Sequence, residues 1–331
     1  MAIHDPYLLF LGDAADQLAA KTAQGIAHWR PDKAVGQMRL EGCKADLGLR
    51  DMTLEEAAAA GAKTLVVGVA NRGGVISQTW ISILERALIL GMDLAAGLHN
   101  RLADVPSLAA VAAQHGRQLF DVRHPTETFE VGNGRKRGGK RLLTVGTDCS
   151  VGKMYASLAL ERDMLAAGMK ADFRATGQTG ILIAGSGVSV DAVVADFISG
   201  AVEWLSPDND ADHWDLIEGQ GSLFHPSFAG VSMGLLHGAQ ADALVLCHEP
   251  TRNHMRGLTE YPIPGLKACV EANLEAAKLT NPAVRFVGVA VNTSAMAEDE
   301  AAPLLSHIAQ ELDLPAVDPF KDDVAPILER L

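Results

Sequence analysis

The stretch LLTVGTDCSVGKMYASLALERDMLAAG, from Leu142 to Gly168, decides the fold of the second half of the chain. Residues 142 to 145 predict a short buried strand, and residues 146 to 152 predict a loop bounded by glycines. From Lys153 onward the apolar residues recur at helical spacing, and Gly168 ends the helix. A strand, a loop and a helix in this order, with a lysine at the end of the loop, are typical of a phosphate-binding P-loop.

The backbone of such a loop explains why it would bind phosphate. Its N–H groups point inward, the helix N-terminus behind it carries partial positive charge, and the lysine adds a full charge. We therefore predict that a polyphosphate is held by Gly146, Thr147, Asp148, Cys149, Ser150, Val151, Gly152, Lys153 and Met154. The alternative is a decayed nucleotide site that is kept for packing.

Two features of the loop depart from the common pattern G-x-x-x-x-G-K-[ST]. The loop has one residue more between its glycines, and Met154 follows the lysine where a hydroxyl would hold magnesium. A thioether is a poor ligand for a hard cation, so the sequence favours phosphate binding without a metal ion. The helix dipole is also expected to lower the pKa of the Cys149 thiol. A small side chain that fills a tight loop is the simpler role for this cysteine.

Composition limits the class of protein. The chain has 331 residues, of which 48% are hydrophobic, and this favours two domains. With 28 basic and 41 acidic residues the formal net charge is -13, which opposes nucleic-acid binding. The four cysteines show neither C-x-x-C pairing nor zinc spacing, which suits a reducing compartment. No signal peptide and no apolar run of about 20 residues are recognised, so we predict a soluble, cytoplasmic protein without a membrane partner.

Strands alternate with helices in the first ~125 residues, and this pattern predicts a parallel sheet covered on both faces. The expected strands are residues 7–11, 64–69, 93–96 and 118–122, and the expected helices are residues 14–28, 53–60, 80–90 and 108–115. The first turn, GDAAD from Gly12, lacks the G-x-G-x-x-G pattern of a dinucleotide site. Arg72, in the NRGG loop, lies where open sheets often bind ligands, although an exposed structural arginine is the commoner explanation. The apolar helix 80–90 needs covering, which favours a homo-oligomer.

Residues 125–139 are polar and glycine-rich and are predicted to link the two domains. A basic run extends from Arg135 to Arg141, and it is interpreted either as a solvated linker or as charge near a bound phosphate. We place the Rossmann-like N-terminal domain at residues 1–135 and the second domain at residues 136–331.

The second domain continues the alternation of strands and helices. The expected strands are residues 171–174, 215–217, 243–247, 286–291 and 316–320; the expected helices are residues 191–205, 231–238, 266–278 and 298–312, with a short one at the C-terminus. Residues 176–187 are expected to form a glycine-rich loop. The predicted fold class is α/β, with a Rossmann-like domain followed by a parallel-sheet P-loop NTPase-like domain.

Three blocks of this domain resemble known families. GTDCSVGK at 146–153 resembles the extended P-loop of dethiobiotin synthetase, and EGQGSLFHP at 218–226 is similar to the EGAGG segment of that group. VNTS at 291–294 lies where those relatives approach the base. Together with ATGQTGILIAG and GVSVDAVVADF at 175–197, these blocks more closely resemble the D-glutamate N-acetyltransferases, over essentially the whole chain.

This resemblance implies acetyl transfer from acetyl-CoA to the amino group of D-glutamate, giving N-acetyl-D-glutamate and CoA. The pyrophosphate of CoA is an anchor and not a reacting group, so a loop without the magnesium hydroxyl fits this role. Asn292 is expected either to hydrogen-bond the adenine or to cap the turn after its strand. The basic run could supply charge to the 3'-phosphate. The alternatives are an ATP- and magnesium-dependent ligase or kinase, like dethiobiotin synthetase, and a nucleotide sensor.

The reaction needs a base for the substrate ammonium and donors for two carboxylates. Glu218, at the end of a strand beside small residues, is the first candidate for the base. His225 is the second, although a histidine beside a proline in a loop is commonly exposed. Arg174 is the best-placed candidate for binding the carboxylates, Arg252 and Arg256 are next, and Gln178 and Thr179 offer neutral donors. Asp191 is interpreted as a charge at the start of a helix.

Overall fold

The computed structural model describes residues 2–69 and 76–331, which form two compact units. Unit 1 contains the chain up to Thr126 together with Gly177–Ala192, and unit 2 contains Glu127–Thr176 and Val193–Leu331. The NRGG loop and Arg72 lie outside the described residues. The boundary expected after residue 135 stays a prediction, but the segment 177–192 shows that a single boundary does not separate the two units.

Unit 1 is built on a five-stranded parallel sheet with the order β2-β1-β3-β4-β5. Its strands are β1 Tyr7–Gly12, β2 Ala34–Arg39, β3 Thr64–Val67, β4 Asp93–Ala96 and β5 Leu119–Asp121. The strands β1, β3 and β4 are buried throughout, as expected for a sheet covered on both faces. Strand β2 was not predicted, because its buried Gln37 breaks the apolar pattern. The Gln37 amide instead donates to Asp46 and Asp51.

Four helices of unit 1 alternate with these strands. They are α1 Lys21–Trp29, α2 Leu54–Ala59, α3 Gln78–Ile89 and α4 Pro106–His115. The helix expected from residue 14 begins only at Lys21, after a 3-10 turn at Leu18–Ala20. Helix α3 buries Trp80 and Leu88 and packs on α4. This contact removes the sequence argument for an oligomer, whose existence stays a prediction.

Unit 2 is built on a six-stranded parallel sheet with the order β13-β12-β9-β6-β8-β7. Its strands are β6 Lys140–Gly146, β7 Lys170–Arg174, β8 His213–Ile217, β9 Ala243–His248, β12 Arg285–Val291 and β13 Ala316–Val317. The last strand is shorter than expected. A small antiparallel hairpin, β10 His254–Met255 and β11 Leu258–Pro262, occupies a segment that was expected to be a loop. The P-loop strand β6 lies between β8 and β9, inside the sheet.

The helices of unit 2 are α5 Lys153–Ala166, α7 Ile198–Leu205, α8 Ala229–Ala239, α9 Leu266–Lys278, α10 Glu298–Leu312 and α11 Ala325–Leu328. Both α9 and α10 match the predicted ranges. The prediction of a helix from Asp191 was wrong: α7 starts at Ile198, and two 3-10 turns precede it. Asp191 accepts a hydrogen bond from Ser189 and pairs with Arg123. In the described part of the chain, no helix is long and apolar enough to cross a bilayer.

Helix α6, Gln178–Ala184, corrects the prediction of a glycine-rich loop at residues 176–187. Glycines lie at both of its ends, and Gly185 ends the helix with a left-handed φ of 87°. Ile181, Leu182 and Ile183 are buried in unit 1, where α6 packs against α1. The glycines therefore mark the ends of a short buried helix.

Candidate functional site

The P-loop joins the carboxyl end of β6 to the start of α5. A Cβ atom at Gly146 would lie 2.9 Å from Val151 Cγ2 and 3.0 Å from Lys153 Nζ, so a side chain would fill the inside of the loop. Gly152 precedes α5 with φ of 98°, a backbone conformation that favours glycine. Both glycines thus have a physical reason, and the predicted order of strand, loop and helix is confirmed.

Lys153 is only 6% exposed. Its Nζ donates to the carbonyl oxygen of Asp148 over 2.8 Å. Burial lowers the pKa of Lys153, while the neighbouring Cys247, Cys149, Asp148 and Glu218 act in the opposite direction. A phosphate in the loop would add negative charge beside this ammonium and would stabilise its charged form.

The end of β8 is fixed to the P-loop strand through Gly219. Its N–H donates to Thr144 Oγ1 over 3.0 Å, and a Cβ atom there would lie 1.7 Å from the Thr144 carbonyl oxygen. The preceding Glu218 is 4% exposed. Its carboxylate accepts hydrogen bonds from the Thr176 N–H over 2.9 Å and from the Gln220 amide over 3.1 Å. Glu218 is therefore held in place close to the lysine of the P-loop.

Asp148 lies inside the loop, and its side chain is fully buried. Its Oδ2 accepts from Arg252 Nη1 over 2.7 Å and from the Arg256 N–H over 2.8 Å, and its Oδ1 accepts from the Cys149 N–H. Arg252 also donates to the carbonyl oxygens of Cys149 and Ser150. The segment after β9 is thereby bound to the P-loop. Sequence reasoning placed Arg252 at a substrate carboxylate and missed its contact with Asp148.

His225 is 1% exposed, so the expectation of an exposed loop histidine was wrong. Its Nδ1 accepts from the Ser227 N–H over 3.2 Å, and its Nε2 lies 3.2 Å from the Arg256 carbonyl oxygen. Because a carbonyl oxygen only accepts, Nε2 carries the proton. The ring also packs against Phe228 at a centroid distance of 4.6 Å. In this tautomer both ring nitrogens are already hydrogen-bonded.

Potential metal ligands of Asp148, Cys149 and His225 lie within 4.8 Å of one another. A divalent cation there would compete with the guanidinium that already neutralises Asp148. The expected lowering of the Cys149 pKa was wrong: burial raises the pKa of this thiol and outweighs the opposing charge of Lys153. These contacts favour neither a metal site nor a reactive thiolate.

The other predicted substrate residues lie in different places. Arg174 Nε donates to the buried Asp215 over 2.7 Å, so its guanidinium is engaged in an ion pair. Gln178 and Thr179 belong to α6 in unit 1, and Thr179 Oγ1 lies 3.3 Å from Thr22 Oγ1. Within unit 2, the structure brings Arg252 to the P-loop, whereas Arg174, the last residue of β7, is bound to Asp215 of β8.

The interpretation of the basic run as a solvated linker holds for Arg135, Lys136 and Lys140, which are exposed, but is wrong for Arg141, and the interpretation as a phosphate neighbour was wrong. Arg141 is fully buried, and its guanidinium donates to the carbonyl oxygens of Gly138 and Pro207. Lys140 begins β6, whereas the P-loop follows its other end. At about 3.3 Å per residue, the strand separates this run from the loop by roughly 15–20 Å. The run therefore stabilises the amino edge of the sheet.

Asn292 lies beside the P-loop, with its Cβ 4.0 Å from the Cβ position of Gly152. Its Oδ1 accepts from the Ser294 N–H over 3.1 Å, which is the capping role expected for a strand-end asparagine. Sequence reasoning missed Phe320, whose ring lies 4.7 Å from that of Tyr155 and 3.9 Å from the Gly152 Cβ position. No motif marked it, because it is far from the loop in sequence.

Comparison with known proteins gives concordant matches. The P-loop domain model of DUF1611, a domain of unknown function, matches residues 130–328, and the Rossmann-like domain model DUF1611_N matches residues 38–125. A protein named D-glutamate N-acetyltransferase from Tritonibacter scottomollicae is 59% identical, with 99% of each chain covered. One of the same name from a Pseudoalteromonas species is 52% identical, with 100% of each covered.

A solved structure agrees with these matches. The crystal structure of a DUF1611 family protein from Anabaena variabilis is similar with a TM-score of 0.83 and 31% identity, and 99% of each chain is covered. The fold, the domain models and the full-length relatives therefore agree, and the chain belongs to the DUF1611 family, with a Rossmann-like and a P-loop domain.

Proposed function

We propose that this protein is a D-glutamate N-acetyltransferase that uses acetyl-CoA as its donor. Two relatives that carry this name are 52–59% identical along the whole chain. The observation that carries the proposal is a P-loop that keeps its buried lysine but has Met154 in place of the magnesium-binding hydroxyl. Such a loop can bind the pyrophosphate of a carrier without splitting it.

Donor binding is assigned to the P-loop residues 146–154. The inward backbone and Lys153 would hold the pyrophosphate, as at other helix N-termini. Asn292, beside Gly152, is proposed to face the adenine. The acetyl thioester would then extend away from the loop. Acetyl transfer needs no divalent ion at the phosphates, because no phosphoryl group moves.

Chemistry on the thioester requires a neutral amine. The substrate ammonium loses a proton to a base, and its nitrogen attacks the acetyl carbonyl carbon. The tetrahedral intermediate expels the CoA thiolate, and the nitrogen releases its second proton, which the thiolate takes up to give CoA. We propose Glu218 as this base, because its carboxylate is buried and fixed by two donors near Lys153. His225 is the second candidate, but its Nδ1 lone pair already accepts the Ser227 N–H.

The protein residues that bind the amino-acid substrate stay predictions. Arg174 and Arg252, both in unit 2, are proposed to bind the two carboxylates of D-glutamate. Gln178 and Thr179, in unit 1, stay predictions of neutral donors. Each arginine would first have to leave a buried aspartate, because Arg174 pairs with Asp215 and Arg252 pairs with Asp148. A cytoplasmic location fits the four unpaired cysteines, and a homo-oligomer remains part of the proposal.

The experiment is to incubate the purified protein with acetyl-CoA and a panel of D- and L-amino acids, and in parallel with ATP and magnesium. Thiol release that requires acetyl-CoA and D-glutamate supports the proposal. ADP release would instead support the ligase or kinase alternative, which the extended P-loop and the nearby Glu218 favour. Absence of both thiol release and ADP release, together with tight nucleotide binding, would indicate a nucleotide sensor.

A further inference from the structure

Two buried side chains hold the backbone of Arg256. Its N–H donates to Asp148 Oδ2 over 2.8 Å, and its carbonyl oxygen accepts from His225 Nε2 over 3.2 Å. Asp148 and His225 are 0% and 1% exposed, respectively. Buried polar groups of this kind are costly unless they are hydrogen-bonded, so these contacts fix the position of Arg256 firmly.

The side chain of Arg256 is exposed and reaches the rim of the P-loop. Its Nη1 donates to Ser150 Oγ, on a residue with a left-handed φ of 54°. Among residues 2–69 and 76–331, no carboxylate forms an ion pair with it, whereas Arg252 pairs with Asp148 and Glu249. A guanidinium without a counter-ion thus lies beside a loop built to bind an anion.

We infer that Arg256 binds a phosphate group of the acyl-CoA donor and supplies the cation that magnesium supplies in P-loop enzymes that transfer phosphate. This inference rests on the proposed function, because it concerns the donor of that reaction. Met154 leaves the loop without a hydroxyl for the metal, and a guanidinium can bind two phosphate oxygens at once.

The neighbouring residues have matching roles. Arg252 neutralises Asp148, so the buried carboxylate of the loop does not repel the phosphate. Asp148 and His225 are positioning residues, since both act through the backbone of Arg256. In this role Asp148 and His225 position Arg256 without a metal ion, and Glu218 takes the proton.

The test compares Arg256→Ala and Arg256→Lys with wild type. Arg50→Ala is the matched control, because Arg50 is 68% exposed and pairs with Glu56 away from the loop. Calorimetry measures the binding of CoA, dephospho-CoA and pantetheine. Steady-state assays compare acetyl-CoA with S-acetylpantetheine, a donor without phosphates. We expect Arg256→Ala to weaken CoA binding by about 10- to 100-fold, and Arg256→Lys to weaken it less.

Three further results support the inference. S-acetylpantetheine turnover and the KM for D-glutamate are the same in Arg256→Ala and wild type, and His225→Asn weakens CoA binding in the wild type but not in the Arg256→Ala background. A difference between CoA and dephospho-CoA that is lost in Arg256→Ala would place the contact at the 3'-phosphate. If Arg256 contacts only the pyrophosphate, Arg256→Ala weakens the binding of CoA and of dephospho-CoA equally, and the difference between the two ligands stays unchanged.

Two results would overturn the inference. One is CoA affinity in Arg256→Ala equal to wild type, and the other is a rise in the KM for D-glutamate alone. Acetyl transfer that continues in either case would leave the proposed function standing. Failure of the wild-type protein to release thiol from acetyl-CoA with any amino acid would instead contradict the proposed function. The CoA affinities of wild type and Arg256→Ala would still test whether Arg256 binds a phosphate group.

Discussion

At the scale of single residues, the site depends on charged groups that the fold has taken out of water. Lys153 and Asp148 are both buried in the loop, and Glu218 is buried beside them. Each would be costly alone, and each has hydrogen-bond partners from the loop or from neighbouring segments. A loop that is held in place in this way would bind an anion at a lower cost, because its groups are already ordered.

Replacing Lys153 with methionine tests the anion site directly. The substitution keeps the length and apolar contacts of the side chain and removes the charge. We expect CoA affinity to fall about 10- to 100-fold, since a hydrogen bond to a charged group contributes about 1.5–3 kcal/mol. Calorimetry would measure it. Lys170→Met is the control, because Lys170 is exposed and pairs with Asp210 and Asp212; an equal effect of both variants would contradict the assignment.

The identity of the base is tested by Glu218→Gln and His225→Asn. If Glu218 takes the proton, Glu218→Gln lowers kcat by roughly 10²- to 10⁴-fold. His225→Asn should mainly raise the KM for acetyl-CoA, because His225 holds Arg256. Steady-state kinetics across pH measure both. The opposite pattern, with kcat lost only in His225→Asn, would exchange the two roles.

His248 gives stability a dependence on pH. Burial lowers its pKa below the ordinary 6.5, and its Nδ1 lies 3.1 Å from Thr147 Oγ1. As pH falls below about 6.5, the unfolded chain binds the proton first, so the free energy of unfolding decreases until the lower folded pKa is reached. Urea unfolding from pH 7.5 to pH 5 should show a shallower decrease for His248→Gln. Parallel curves for the two proteins would rule out this contribution.

At the scale of elements, close approach of helices sets where glycine is required. Helix α8 contains one glycine that a neighbouring helix approaches closely and one glycine that no other described residue approaches. A Cβ at Gly238 would lie 2.4 Å from the Ser199 carbonyl oxygen of α7, whereas a Cβ at Gly230 would meet nothing within 4 Å. The two glycines of one helix therefore serve as a matched pair.

We expect Gly238→Ala to destabilise the protein by about 1–3 kcal/mol through overpacking. Gly230→Ala should be neutral or stabilising, by up to about 1 kcal/mol, because alanine favours the helix. Thermal or urea unfolding measures both. Equal stability of the two variants would mean that α7 and α8 do not pack as closely as described.

At the scale of the whole molecule, the chain order does not follow the compact units. Gly177–Ala192 belongs to unit 1, although it follows the first two strands of the sheet in unit 2. Within unit 1, a Cβ at Gly25 of α1 would lie 3.0 Å from Ile183 of α6, so this later helix covers a face of α1. A cut after residue 135 would remove it.

A fragment of residues 1–135 should therefore lack a cooperative unfolding transition. A longer fragment, in which residues 1–126 continue through a Gly/Ser linker into residues 177–192, restores α6 and should unfold cooperatively. Circular dichroism with urea measures both. Cooperative unfolding of the fragment without α6, at the same stability as the fragment with it, would show that α6 is dispensable for unit 1.

Much of the architecture follows from local patterns. The P-loop between β6 and α5, the strands β1 and β12 and the helices α9 and α10 were predicted, since buried strands are continuous apolar runs and helices repeat every 3.6 residues. Strand β2 and helix α6 were not predicted. A buried glutamine interrupts the apolar pattern of β2, and the glycines at both ends of the seven-residue helix α6 are typical of a loop.

The sequence alone determined that the chain carries a P-loop, with a lysine and without a magnesium hydroxyl, in an α/β fold. Only the tertiary structure decided which distant groups meet there. The tertiary structure brings Arg252 and Arg256 to Asp148 and places the basic run at the end of β6 that lies opposite the P-loop. It also shows that burial raises the pKa of Cys149. The reason is physical: local patterns depend on neighbours along the chain, whereas burial and charge pairing depend on residues about 100 positions apart.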